Sequence, residues 1–167
     1  MEQFTIRPAE PGDLEAILQI YARARSFMAD HGNPRQWNTT WPPEALVRED
    51  IAMGRSYVCV LQEQVVGVFV FFQGYDIDPT YRTILDGGWS ADRAYGVVHR
   101  IASSGQVPGV GQFCLDWACR QSGYLRVDTH GDNQVMQNLL TKCGFTRCGI
   151  IYVEEDNDPR IAFDKEM

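Results

Sequence analysis

Residues 103–113, with the sequence SSGQVPGVGQF, place three glycines between an apolar stretch and a segment with helical periodicity. A helix that begins in such a loop has N-terminal N–H groups without internal partners, and its dipole places partial positive charge there. Gly109 and Gly111 have no Cβ, so a phosphate can approach the backbone closely. The segment therefore predicts a phosphate-binding loop, although a strand-to-helix turn without a ligand fits the same spacing.

Asp128 and His130 are two residues apart in a predicted strand, so their side chains are expected to point to the same face of a sheet. A carboxylate beside an imidazole can orient the ring and raise its basicity, and an imidazole is a suitable general base near neutral pH. The pair is a candidate catalytic site. The alternative is that Asp128 is solvated or caps the following turn, and that His130 only leads into a loop.

The five cysteines include no C-x-x-C pair, and none of the three histidines stands at ligand spacing from them. We therefore expect no metal and reduced, buried thiols. Cys143 ends a predicted helix with no base in view, so a thiol nucleophile is not expected.

These candidate groups must be positioned by a sheet with helices on it. The apolar patterns predict a single domain over residues 1–167, an α/β or α+β fold with a mixed sheet and the order β-α-α-β-β-β-α-β-α-β-β. The predicted strands are residues 4–7, 57–61, 65–72, 97–102, 125–129, 145–153 and 161–163, and a turn of three polar residues, 62–64, joins the second and third. The predicted helices begin near Pro11, near Pro42 or Pro43, after the glycine loop and at Asn133. Residues 73–89 have no clear period, and at that length the connection is expected to be functional.

Composition limits the partners. The net charge is −7, and no run of Lys or Arg appears, which argues against nucleic acid. The longest apolar run, residues 65–72, is too short to span a bilayer, and the first ten residues do not resemble a signal peptide. We expect a cytoplasmic protein with no membrane partner.

Residues 106–111, QVPGVG, fit neither of two common phosphate loops. A Walker A loop would need a second glycine and a lysine that are absent here, and a Rossmann fingerprint would need a third glycine where Cys114 stands. The run Q-x-x-G-x-G after a predicted strand and before a predicted helix resembles the acyl-CoA pyrophosphate loop of the GNAT acetyltransferases. Downstream, LRVDTHGDNQVMQNLLTKCGF resembles the same family through Asn133, Lys142, Gly144 and Phe145. The element order matches the GNAT fold along the whole chain.

The resemblance implies acetyl-CoA as co-substrate and a split between the two central strands, where the pantetheine arm would pair with the first of them. It also implies a set of CoA-binding residues. These are Ile101 and Ala102 on the strand, Gln106, Val107, Gly109, Val110, Gly111 and Gln112 in the loop, and Asn133 farther along.

Two positions depart from the family pattern. Pro108 stands where the family often has Arg or Lys, which removes a backbone donor and a cation. Leu140 stands where the family often has a Tyr that protonates the leaving thiolate. Tyr95 occupies a strand position where several GNAT enzymes place a catalytic Glu, and it is a candidate proton donor to the thiolate. His99 shares the strand parity of Tyr95, but a packed or hydrogen-bonded histidine is the simpler interpretation.

The resemblance implies a primary amine, expected to be small, as acyl acceptor, and direct attack in a ternary complex. We expect aromatic residues to form the wall of its pocket and nearby carboxylates to bind the amine. These residues are Trp37, Trp41, Tyr75, Trp89, Asp76, Asp78 and Asp86. The alternative function is a non-catalytic acyl-CoA sensor. A homodimer formed through C-terminal strands is also possible.

Overall fold

The computed structural model describes residues 3–37, 40–153 and 158–167. The strands are β1 (Thr5–Pro8), β2 (Ser56–Leu61), β3 (Gln64–Gly74), β4 (Tyr95–Ser103), β5 (Tyr124–His130), β6 (Thr146–Tyr152) and β7 (Pro159–Glu166). The helices are α1 (Leu14–Asp30), α2 (Glu44–Ala52), α3 (Val110–Ser122) and α4 (Gln134–Lys142), with short 3₁₀ turns at Pro11–Asp13 and Pro79–Tyr81. The predicted order of strands and helices is confirmed.

The seven strands form one sheet in the order β1-β2-β3-β4-β5-β7-β6. The pairing between β4 and β5 is parallel, and all the other neighbours are antiparallel. β4 and β5 pair only at Gly96 with Leu125 and at Val97 with Arg126, and beyond these residues they separate. The predicted split between the two central strands is therefore present.

The turn between β2 and β3 is one residue shorter than predicted. Gln62 and Glu63 form it with φ angles of 50° and 69°, and Gln64 already belongs to β3. A two-residue hairpin with both central residues at positive φ matches the right-handed twist of the strands it joins.

The helices cover both faces of the sheet, because side chains alternate along each strand. Phe69 on β3 packs in a cluster with Leu115 of α3 and Leu140 of α4. Its neighbour Val68 packs on the opposite face in a cluster with Ile17 of α1 and Val47 of α2. All five cysteines are buried and unpaired. Among the described residues, no helix has the length and apolar character needed to cross a membrane.

A bulge in β4 lies at the start of the split. The β3–β4 register shifts between Val68 and Val70, and Arg100 has a left-handed φ of 51°. The hydroxyl of Tyr21 on α1 donates to the Arg100 carbonyl at 2.8 Å, and the Arg100 guanidinium pairs with the buried Asp50 of α2 at 3.0 Å. Helices α1 and α2 therefore hold the bulge in place.

Candidate functional site

A cleft of about 260 Å³ opens where β4 and β5 separate. Both strands contribute polar side chains to it, and the segment before the second helix closes one side. The residues that line the cleft are Met28, Gln36, Trp37, Trp41, Asp78, Pro79, Thr80, Val98, His99, Arg100, Ile101, Val127, Asp128, Thr129, Asn133, Met136, Val153 and Arg160.

The glycine loop leads from β4 into α3. Gly109 precedes the helix with a φ of 86°, and no side chain caps the helix N-terminus. The N–H of Phe113 bonds to the Gly109 carbonyl at 3.0 Å. The three preceding N–H groups, of Val110, Gly111 and Gln112, belong to the first helical turn and have no partner within the helix. An uncapped helix N-terminus of this kind fits the anion site that the sequence predicts.

A cation stands beside this loop, although none is present in it. The guanidinium of Arg23 on α1 lies directly against Gly105, where a Cβ would overlap it. Its Nη1 is 3.4 Å from the Ser103 carbonyl oxygen. No sequence pattern links Arg23 to the loop, because the two are 80 residues apart along the chain. Arg23 can supply the charge that Pro108 does not.

His99 lies on β4 between two carboxylates, and its side chain is 24% exposed. Its Nε2 is 2.8 Å from Asp78 Oδ2, and its Nδ1 is 4.0 Å from Asp128 Oδ2. The Tyr81 hydroxyl donates to the same Asp128 oxygen at 2.7 Å. An Nε2–H that donates to Asp78 leaves the lone pair of Nδ1 available as a base.

The pKa values of the two carboxyl groups are shifted in opposite directions. Burial raises the pKa of Asp78, but the hydrogen bond from His99, its charge and the bonds from Thr80 outweigh this, so the pKa lies below its usual value. Burial raises the pKa of Asp128 above its usual value, and the nearby His99 and the Tyr81 hydrogen bond offset only part of that rise. Burial and the Asp128 charge raise the pKa of Tyr81 well above its usual value, so its hydroxyl stays protonated and donates.

These pKa shifts predict opposite effects on stability. We expect Asp78→Asn to lower the free energy of unfolding at pH 7, since a carboxylate with a lowered pKa stabilises the fold above its ordinary value near 4. That loss should shrink as the pH falls below about 4, where Asp78 of the unchanged protein takes up its proton. We expect Asp128→Asn to leave the free energy of unfolding unchanged or raise it at pH 7, because the ionised form of a group with a raised pKa costs stability. Urea unfolding of both variants measures this, and the reverse order would contradict it.

The structure does not bring His130 to Asp128. The His130 Nε2 lies 2.9 Å from Asp158 Oδ2, and its Nδ1 accepts from the Asp132 N–H at 3.0 Å. Both ring nitrogens are therefore engaged away from Asp128, and His130 is not among the residues that line the cleft. The imidazole bonds instead to the Asp158 carboxylate and to the backbone at Asp132.

Tyr95 is buried at the start of β4 and also lies outside the cleft lining. Its hydroxyl accepts from the Asp78 N–H at 3.2 Å, so it holds the backbone that carries the Asp78 carboxylate. Leu140 is fully buried in the core beneath α4, where it offers no proton.

The predicted CoA-binding residues lie in three places. Ile101 and Asn133 line the cleft, and Asn133 also caps α4 by accepting from the Met136 N–H at 3.0 Å. Ala102 is buried at the end of β4. The loop residues lead from the cleft to the start of α3: Gln106, Val107, Gly109, Val110, Gly111 and Gln112.

Only some of the residues predicted for the acceptor pocket line the cleft. Trp37, Trp41 and Asp78 line the cleft. Tyr75, Trp89 and Asp76 line a different cavity instead. Asp86 is exposed and lines neither of these two cavities.

Tyr81 is a site residue that sequence reasoning missed. It lies in the aperiodic segment between β3 and β4, 47 residues from its partner Asp128, and no sequence pattern links the two. The signal available was the segment's length, which predicts a functional connection without naming the residue.

The fold is similar to that of solved acetyltransferase structures. A GNAT-family acetyltransferase from Streptococcus agalactiae is 27% identical over 98% of this chain and 95% of its own, with a TM-score of 0.87. A ribosomal-protein-alanine N-acetyltransferase from Brucella melitensis is 19% identical over 98% and 99%, with a TM-score of 0.63. YncA from Salmonella typhimurium, solved with its cofactor acetyl-CoA, is 19% identical over 98% and 93%, with a TM-score of 0.58. Neither sequence family models nor curated protein sequences give a match.

Proposed function

Because the chain belongs to the GNAT superfamily of acetyltransferases, we propose that it transfers the acetyl group of acetyl-CoA to a primary amine of a small molecule. The observation that supports the proposal is that β4 connects the polar cluster in the cleft to the glycine loop. His99 lies between Asp78 and Asp128 in the cleft, and the same strand runs on into the uncapped N-terminus of α3. One strand thus connects a candidate base to a candidate phosphate site.

Acetyl-CoA binding falls to the loop and to β4. The N–H groups of Val110, Gly111 and Gln112 would hold the pyrophosphate, with Gln106, Val107 and Gly109 shaping the loop around it. The backbone at Ile101 and Ala102 would pair with the pantetheine arm, since β4 no longer pairs with β5 there. Asn133, which lines the cleft, would contact CoA farther along.

The amine would bind beside His99. His99 Nδ1 and Asp128 Oδ2 are 4.0 Å apart, so an ammonium group in the cleft would hydrogen-bond to both from one side. The carboxylate would hold it while the imidazole takes a proton from it. Trp37 and Trp41 line the same cleft and offer aromatic faces to the rest of the substrate.

The reaction then needs no covalent enzyme intermediate. The neutral nitrogen attacks the thioester carbonyl, a C–N bond forms, and the tetrahedral species collapses by breaking the C–S bond. The CoA thiolate leaves with the electron pair. The imidazolium of His99 is the acid available to protonate the thiolate, since Leu140 is buried where the family often has a Tyr. The neutral imidazole that results then takes the second proton from the attacking nitrogen, which gives the neutral amide, and passes it to solvent. The five cysteines are buried, which disfavours an acetylated thiol.

Arg23 gives a test of the pyrophosphate site. We expect Arg23→Ala to weaken acetyl-CoA binding by about tenfold, because a hydrogen bond to a charged group contributes about 1.5–3 kcal/mol and this side chain is exposed. Calorimetric titration with acetyl-CoA measures the loss. Binding of acetyl-pantetheine, which has no pyrophosphate, should not change.

Arg48→Ala is the matched control, since Arg48 is an exposed arginine that pairs with Glu44 on α2. It removes the same charge from the protein without touching the loop. If both substitutions weaken acetyl-CoA binding equally, or if Arg23→Ala does not weaken it, Arg23 does not contact the pyrophosphate.

The proposed function itself is tested by titrating the unchanged protein with acetyl-CoA, with adenosine as the control that lacks pyrophosphate. Binding of acetyl-CoA that adenosine does not reproduce supports it. No binding by the folded protein would mean that Pro108 disables the loop and that the proposal is wrong.

A non-catalytic acyl-CoA sensor is the second candidate, favoured by the burial of Leu140 where the family often has a catalytic Tyr. A sensor would bind acetyl-CoA with the same loop. Release of free CoA that depends on an added amine would exclude it.

A further inference from the structure

A second cavity, of about 480 Å³, lies on the far side of the residues that hold the cleft carboxylates. We refer to it as the distal cavity. Arg126 of β5 forms part of its wall, at the place where β4 and β5 still pair and before they separate. The residues that line it are Tyr75, Asp76, Tyr81, Arg82, Trp89, Ser90, Ala91, Asp92, Tyr95 and Arg126.

Arg126 is a buried cation without a carboxylate partner. It is only 6% exposed, yet no carboxylate oxygen in the described part of the chain lies within 4.0 Å of its guanidinium nitrogens. Its Nε donates to the Tyr124 hydroxyl at 3.2 Å, and its Nη2 donates to the Ala91 carbonyl at 2.7 Å. Its Nη1 makes no hydrogen bond to any described residue.

Aromatic rings surround this guanidinium. Its Cζ lies 4.1 Å from the Tyr95 ring centre and 4.4 Å from the Trp89 ring centre. Such contacts stabilise a cation. The Tyr124 hydroxyl that accepts from Arg126 also donates to the buried Asp164 at 2.8 Å, so this carboxylate reaches Arg126 only through a hydroxyl and leaves Nη1 without a direct partner. A buried charge is normally paired, so the unbonded Nη1 points to an anion that comes from outside the chain.

A carboxylate without a cation lines the same cavity. Asp92 is exposed, accepts from the Tyr75 hydroxyl at 3.0 Å, and has no ion pair with any described residue. The other two charged residues of the cavity, Asp76 and Arg82, neutralise each other at 2.9 Å. Among the described residues, the distal cavity therefore holds one charge of each sign without a direct ion pair.

We propose that the distal cavity binds a small zwitterion of the α-amino acid type. Its carboxylate bonds to Arg126 Nη1, its ammonium lies against Asp92, and its side chain packs on the rings of Trp89 and Tyr75. A ligand with only one of these charges would leave the other protein charge without a partner.

This site is separate from the acetyl-transfer cleft. Tyr81 lines the distal cavity, while its hydroxyl bonds to Asp128 of the cleft. Tyr95 likewise lines the distal cavity and accepts from the Asp78 N–H. These two side chains stand between the zwitterion and His99, so a ligand bound here is not the acyl acceptor.

The four tryptophans allow the site to be tested by nuclear magnetic resonance of their indole N–H groups in the ¹⁵N-labelled full chain, without acetyl-CoA. Trp89 reports on the distal cavity, Trp37 and Trp41 report on the cleft, and Trp117 lies in the core against the sheet. The probes are phenylalanine, phenethylamine and phenylacetate, which share a ring and carry both charges, the ammonium only, or the carboxylate only.

We expect phenylalanine to shift the Trp89 resonance while leaving those of Trp37 and Trp41 unchanged. The two singly charged probes should bind at that site at least about tenfold more weakly, since each lacks one charged contact. No shift at Trp89, or equal binding by all three probes, would overturn the proposal. A shift at Trp37 and Trp41 alone would also overturn it, because it would place the ligand in the cleft.

Two variants test the two charges separately. Arg126→Gln should abolish the phenylalanine effect on Trp89. Because Arg126 is buried and could be needed for folding, Asp92→Asn gives an independent test at an exposed position, with about a tenfold loss expected. Asp86→Asn is the matched control, an exposed aspartate outside the distal cavity. Loss of binding in that control, or none in Asp92→Asn, would contradict the assignment. These titrations contain no acetyl-CoA. Their outcome therefore tests the distal cavity independently of the proposed acetyl transfer.

Discussion

Replacement of His99 by glutamine should lower kcat for acetyl transfer by about 10²- to 10⁴-fold, the usual contribution of a general base. Glutamine can still donate to Asp78, which lies 2.8 Å from His99 Nε2, so the wall of the cleft should keep its shape. It cannot accept a proton from an ammonium group at the Nδ1 position. Acetyl-CoA affinity should stay within about twofold, because the loop contacts lie farther along the chain, beyond Ser103. Steady-state kinetics and calorimetry measure the two quantities.

His31→Gln provides the matched control for His99→Gln. His31 is exposed at the end of α1, and its Nδ1 bonds to the Phe27 carbonyl, so the same substitution there should leave kcat unchanged. If His99→Gln keeps full activity, the base is another group and the proposed mechanism is wrong. His130→Gln tests the original sequence prediction in the same assay. We expect a much smaller effect from it, because both its ring nitrogens are engaged outside the cleft.

Replacement of Gly109 by valine should abolish acetyl-CoA binding in a protein that still folds. Gly109 has a φ of 86°, in the left-handed region that a β-branched residue rarely adopts. A valine would push the loop toward another conformation and move the first N–H groups of α3 out of their present arrangement. The loss of the N–H contacts to the pyrophosphate should weaken binding by about 100-fold or more. Calorimetry with acetyl-CoA measures this loss.

Backbone strain and loss of the site can be separated with Gly123→Val at the other end of α3. Gly123 also has a left-handed φ, of 74°, and no atom lies within 4 Å of the Cβ that would be added. Both variants should lose stability, but Gly123→Val should bind acetyl-CoA like the unchanged protein. Unimpaired binding by folded Gly109→Val would show that the loop is only a turn, the alternative that the sequence left open.

The fold and the loop could be predicted because their signals are local. Residues 110–118 carry apolar side chains at helical spacing, and Gly123 ends the helix at the expected place. Strand β5 and the helix cap at Asn133 were likewise predictable from residues that are adjacent in the sequence. The position of the glycines between β4 and α3 then indicates the phosphate site without any tertiary contact.

The proposed catalytic cluster could not be predicted because its members are far apart in sequence. Asp78 lies in an aperiodic connection, His99 follows 21 residues later, and Tyr81 reaches Asp128 across 47 residues. Strand parity alone joined Asp128 to His130, but parity states only which face a side chain occupies. Which partner an imidazole finds on that face depends on loops such as the one that carries Asp158.

The aromatic residues illustrate the same limit. Their types predicted a wall for a substrate, and Trp37 and Trp41 do line the cleft. Tyr75 and Trp89 came from the same reasoning, but the packing of their segment against β5 places them at Arg126 instead. Residue type predicts an aromatic pocket wall, whereas the location of that wall is set by tertiary packing.

The most direct test of acetyl transfer is the amine-dependent release of free CoA thiol from acetyl-CoA, measured over a panel of amino acids, polyamines, aminoglycosides and peptides. We expect release that requires both the protein and at least one primary amine, and that falls by about 10²- to 10⁴-fold in His99→Gln. Acetyl-CoA binding without thiol release from any amine in the panel would contradict it, and the chain would then be an acyl-CoA sensor.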